Sequence, residues 1–98
     1  MTKSVKFKIT MIDGKTTSTK VGHVTTMTDK AGQSRKFTMH KDHRGNWIIS
    51  DHPTGLRLFD TLTKLYTQAR ADLKGEVEDL DLINRCIKSS KGKPIVNQ

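Results

Sequence analysis

Apolar and polar positions alternate with a period of two at the start of the chain, where Val5, Phe7, Ile9 and Met11 are interleaved with Lys6, Lys8 and Thr10. In an extended strand that pattern places an apolar row on one sheet face and a basic row on the other. Asp13-Gly14 comes next. The pair suits a two-residue hairpin, because both central positions of a type I′ turn need positive φ. From Thr16 to Thr28 eight residues are β-branched, which predicts a long strand with little apolar mass, and Gly22 marks a bend that lets this arm bow around a small core. Asp29-Lys30-Ala31-Gly32-Gln33-Ser34 and Lys41-Asp42-His43-Arg44-Gly45-Asn46 are polar turns, and between them Phe37 and Met39 alternate with Lys36, Thr38 and His40. Trp47-Ile48-Ile49 is apolar on both faces, as in a central or doubly covered strand. Pro53-Thr54-Gly55 turns the chain into a short last strand at Leu56-Arg57-Leu58.

Near Phe59 the period changes. Phe59, Leu62, Leu65, Tyr66, Ala69 and Leu73 fall at three- and four-residue spacing, which predicts a helix capped by Asp60 and closed by Gly75. A second helix is expected over 76–89, with Val77, Leu80, Ile83, Cys86 and Ile87 inward. Glu76, Glu78, Asp79 and Asp81 would crowd its start and Arg85, Lys88 and Lys91 its end, complementing the helix dipole. The expected fold is α+β: a four- to five-stranded antiparallel meander followed by two C-terminal helices packed on one sheet face. Residues 1–90 form the single domain, and 91–98 read as a mobile tail with little to pack.

Composition narrows the class. Ninety-eight residues with 33% hydrophobic content make one small core, most of it committed to packing, with little left to wall a deep substrate cavity. The first eight residues alternate charged and apolar groups, unlike a secretory signal, and no run approaches the ~20 apolar residues that cross a bilayer. The single cysteine, Cys86, has no internal partner and reads as a small buried hydrophobe, which fits a reducing cytoplasm.

Charge is unevenly distributed. The chain carries +8, and residues 1–50 alone hold ten basic groups against Asp13, Asp29 and Asp42, net +7. An electrostatic footprint therefore belongs to the strand half. Other chemistry is weakly supported. His40, His43 and His52 lack structural-zinc spacing, so neither a metal nor another cofactor is expected. Asp42-His43 and Asp51-His52 are adjacent pairs whose side chains point to opposite strand faces, and Ser50 has no nucleophile elbow. An enzyme is not favoured.

If Phe7, Ile9, Phe37 and Met39 lie under the helices, then Lys6, Lys8, Lys36 and His40 share the open sheet face, with Lys20, Arg35, Lys41 and Arg44 nearby. Lysines and hydroxyls on such a surface suit phosphate contacts, and Trp47 is either the largest core residue or a stacking platform. The unit from Arg44 to the Leu62/Leu65/Tyr66/Ala69 segment is similar in outline to the arm-type DNA-binding modules of phage integrases, in which a three-stranded sheet backed by one helix enters a groove. The likeness is one of topology. The first expectation is a non-enzymatic regulatory or accessory factor, of the kind phages and mobile elements carry, that contacts DNA or RNA. The second is an interaction module that inhibits a larger complex by binding an acidic protein partner. The Lys15–Thr28 arm would also allow a homodimer by edge pairing.

Overall fold

The structure is a computed structural model that describes residues 4–97. Five strands follow one another: β1 (Val5–Thr10), β2 (Thr17–Thr28), β3 (Ser34–Lys41), β4 (Trp47–Asp51) and β5 (Arg57–Asp60). Two helices follow them, α1 (Tyr66–Asp79) and α2 (Leu82–Ser90). Every pairing is antiparallel and the spatial order equals the chain order. The α+β meander with two C-terminal helices expected from the hydrophobic pattern is therefore the architecture.

β2 serves two partners, β1 along residues 17–22 and β3 along residues 23–28. Gly22 is the changeover, and a side chain cannot stand there, since a Cβ would lie 2.0 Å from the Met39 carbonyl oxygen. Beyond it, β1 and the first half of β2 form a hairpin that covers the sheet face left open by the helices. The Phe7 ring meets the His40 ring edge-on at 6.1 Å. Thr10 donates its N–H to the Gly55 carbonyl at 2.8 Å and its hydroxyl to that of Thr54 at 2.6 Å. The outer edge of β1 is met by Asn97, whose side-chain amide accepts from Lys8 N–H at 2.8 Å and donates to the Lys8 and His52 carbonyls at 2.7 Å. An edge strand bonded in this way is shielded from pairing with another chain.

Helix-side packing follows the alternation in the central strands. Phe37, Met39, Trp47 and Ile49 meet Ala69, Leu73, Val77, Ile83 and Cys86 in one buried cluster. All five residues of β4 are buried, because Trp47 and Ile49 face the helices while Ile48 and Ser50 face the hairpin. This is the doubly covered strand implied by Trp47-Ile48-Ile49.

Three local expectations are corrected. Asp60 does not cap a helix: it ends β5 and its carboxylate is held by Arg57. Residues 61–63 stay outside the helix, with Thr61 N–H donating to the Trp47 carbonyl, Trp47 N–H to that of Thr63, and Leu62 between them at a left-handed φ of 59°, so the three-to-four spacing through Leu62 and Leu65 is accidental and both remain exposed. α1 instead starts at Tyr66 and runs through Gly75 until Asp81 adopts a left-handed φ of 52°. Glu76, Glu78 and Asp79 thus sit in the last turn of α1, where the helix dipole disfavours them, and α2 has no acid in its first turn.

The Asp13-Gly14 turn is also longer than two residues. Met11 N–H donates to the Thr16 carbonyl, and Asp13 binds the N–H groups of Lys15 and Thr16 through Oδ1. Of its central residues only Gly14 takes a positive φ, at 72°. Lastly, Phe7 does not share a face with Phe37 and Met39, because the bend at Gly22 turns the β1 row onto the opposite side of the sheet.

Candidate nucleic-acid interface

The strand half owes its exposed positive charge to its turns. Asp29-Lys30-Ala31-Gly32-Gln33 and Asp42-His43-Arg44-Gly45-Asn46 are built alike: the aspartate N–H donates to the carbonyl of the fourth residue on, and the glycine, at φ 85° or 86°, donates to the aspartate carbonyl. In each, Oδ1 accepts the N–H groups two and four residues ahead, at 2.8–2.9 Å. Asp13 is used in the same manner, and the Thr16 and Lys15 amides hold its carboxyl below the ordinary range. All three first-half carboxylates therefore face turn amides, and the lysines on the strands are left without them.

The eight residues predicted to form one surface are dispersed. Lys6 and Lys8 project from the outer face of the β1–β2 hairpin, cross-strand from Val21 and Thr19, and both are exposed. Lys20 is exposed on the other side of that hairpin, opposite Phe7. Lys36 is exposed on β3 opposite Thr26, Lys41 lies 5.3 Å above the Trp47 ring, and Arg44 is at a turn tip. The remaining two are internal. Arg35 forms a two-pronged ion pair with Asp51 at 2.7 and 2.9 Å, its side chain 14% exposed, and this contact raises its pKa. His40 is 5% exposed under the hairpin, and its pKa is lowered first by burial, then by Lys20 and Arg57.

Trp47 is core, 6% exposed, with its indole N–H donating to the Lys64 carbonyl at 3.2 Å. His23 and Tyr66 pack against it with ring centroids 5.7 and 5.3 Å away. No described histidine, cysteine, aspartate and glutamate side chains gather in threes. Burial pushes the Cys86 thiol up to about 11, so it stays protonated at neutral pH.

Sequence reasoning missed two cations. Arg70 and Lys74 run beside the second half of β2, in a groove with Thr26, Thr28 and Met27. Their four-residue spacing is visible in the sequence; their strand neighbour is not, because it depends on how α1 crosses the sheet. No helix among the described residues is long and apolar enough to cross a membrane. Comparison with protein-family models, curated proteins and solved structures found nothing that matches this chain.

Proposed function

We propose that the protein is a non-enzymatic, cytoplasmic nucleic-acid-binding factor that uses the outer face of the β1–β2 hairpin, with Lys6 and Lys8 as its contacts, while Lys20 on the hairpin's other side and Lys36, Lys41 and Arg44 elsewhere on the strand half add to the positive field around it. One observation carries the reading: these six cations are exposed and no described carboxylate pairs with any of them. Lys6 and Lys8 are ~7 Å apart along one face of a two-stranded ribbon. Such a ribbon fits the ~12 Å width of a duplex major groove, and alternating lysine and threonine supply phosphate contacts without base discrimination. Arg35, paired with Asp51, and His40, buried under the hairpin, are engaged inside the domain and do not touch the ligand.

Binding of labelled duplex DNA, single-stranded DNA and RNA, followed by anisotropy across a salt series, tests this. Affinity should fall steeply with salt, and Lys6→Gln with Lys8→Gln should flatten the log–log slope by about 1.8 on duplex DNA, at ~0.9 per phosphate contact. Absence of binding at low salt sinks the proposal. So does an unchanged slope in the double variant.

A further inference from the structure

β1 leaves β2 at Gly22, and from His23 to Thr28 β2 is bonded to β3 on one side only among the described residues. The ladder alternates from the Asp29 N–H to Gln33 carbonyl bond, so the backbone groups of Val24, Thr26 and Thr28 point to the open side. There α1 and β2 enclose a groove of about 480 Å³ whose floor is Met27, Val77 and Tyr66 and whose rim is Arg70 and Lys74. No carboxylate lines it. Arg70 is steered along the strand by its Nε–H, which donates to Thr25 Oγ1 at 3.3 Å, leaving the rest of its guanidinium free.

We propose that this groove takes an extended acidic peptide segment of a partner protein as an added strand on β2. Three features select that occupant. The edge offers N–H donors and C=O acceptors in alternation, which a peptide backbone matches. A phosphodiester backbone has acceptors alone and would leave the Val24, Thr26 and Thr28 carbonyls unmet. The charge is also in register. Arg70 and Lys74, four residues apart on a helix, are ~6 Å apart along its axis, while alternate residues of a strand repeat every ~6.8 Å, so acids at every second position reach both cations. A second copy of the chain, by contrast, would bring Arg70 and Lys74 toward their own images. The site is separate from Lys6 and Lys8, and its fate is independent of the nucleic-acid proposal.

The test is titration of the isotopically labelled full chain with an eight-residue peptide of alternating glutamate and valine, read by amide NMR. The peptide should shift the Val24, Thr26 and Thr28 amides and slow the hydrogen exchange of Thr26 and Thr28. The double variant Arg70→Glu, Lys74→Glu should weaken binding at least about tenfold. Both side chains are exposed on α1, and Lys74→Glu alone, expected to lose a smaller factor, guards against a folding defect in the double change. The inference is overturned if the edge amides do not respond, or if a lysine–valine peptide binds as well. It is also overturned if eight-nucleotide oligothymidylate shifts the same amides more strongly, or if sedimentation shows a dimer and the Thr26 and Thr28 amides are already protected from exchange without peptide.

Discussion

The two faces of the sheet are sealed by different means. On the helix side Phe37, Met39, Ile49, Leu73 and Ile83 are fully buried, each at 0% exposure, in one apolar cluster, and a single buried polar atom there, His23 Nδ1 beside Trp47 and Tyr66, has no hydrogen-bond partner among the described residues. On the hairpin side Phe7 and Ile48 cover Thr38, His40 and Ser50, a cavity of about 280 Å³ remains beside them, and neither His40 Nδ1 nor Ser50 Oγ has a hydrogen-bond partner. Apolar burial stabilises by about 25 cal/mol per Å², while a buried polar atom without a partner costs about 1–3 kcal/mol. The hairpin face is thus the less stable one. Low local stability is the usual property of elements that adapt to a ligand, and this hairpin carries the proposed contact residues Lys6 and Lys8.

Deleting one phenylalanine on each side gives the sharpest break between the two regions. Phe37→Ala should cost about 3–5 kcal/mol in urea unfolding, because the helices and sheet cannot both close over the void. Phe7→Ala should cost less in global stability, yet speed hydrogen exchange throughout 5–22 while leaving β3 and β4 protected. Equal global losses, with exchange rising everywhere, would show that both faces unfold as one unit.

Next in size is the fastening of β1. Asn97 satisfies the Lys8 N–H, the Lys8 carbonyl and the His52 carbonyl, and Val96 N–H donates to the Pro53 carbonyl. Asn97→Ala should lower stability by about 1–2 kcal/mol and open the β1 edge, seen as earlier proteolytic cleavage in residues 5–22. A cleavage pattern unchanged from the parent would show that the tail does not hold the hairpin.

Most of the architecture was legible because alternation and turn chemistry are local. The apolar run Trp47-Ile48-Ile49 announced a strand covered twice, and the Asp-x-x-Gly turns announced the hairpins on either side of β3. What was not legible depended on distance in sequence. Nothing local says that a bend at Gly22 sends the Phe7 row to the opposite face from Phe37, and that one rotation scatters the expected basic surface and buries His40. The start of α1 was misread for a different reason. Phe59, Leu62 and Leu65 carry a helical spacing, but the Trp47 backbone binds Thr61 and Thr63 and keeps the segment out of the helix, with Leu62 at a left-handed φ. Arg35 looked like a surface cation because its partner Asp51 is 16 residues away.

His40 supplies the smallest effect and the finest probe of the weaker face. Its pKa is lowered by burial under Phe7, with Lys20 and Arg57 adding to the effect and Asp42 and Asp60 opposing it. A histidine whose folded pKa lies below the unfolded value of about 6.5 binds fewer protons when folded, so stability rises with pH. Its contribution is complete above about pH 7 and is lost as pH falls through the unfolded pKa toward the folded one, at no more than about 1.4 kcal/mol per pH unit for one proton. Stability measured between pH 7 and 5 should therefore decline, and His40→Leu should flatten that decline. The same acid shift should raise hydrogen exchange in the hairpin before it does so in β4, because protonation sets a charge beside Lys20 and Arg57 under the Phe7 ring. If the pH slope survives in His40→Leu, another group governs acid sensitivity and the hairpin face is not the first to yield.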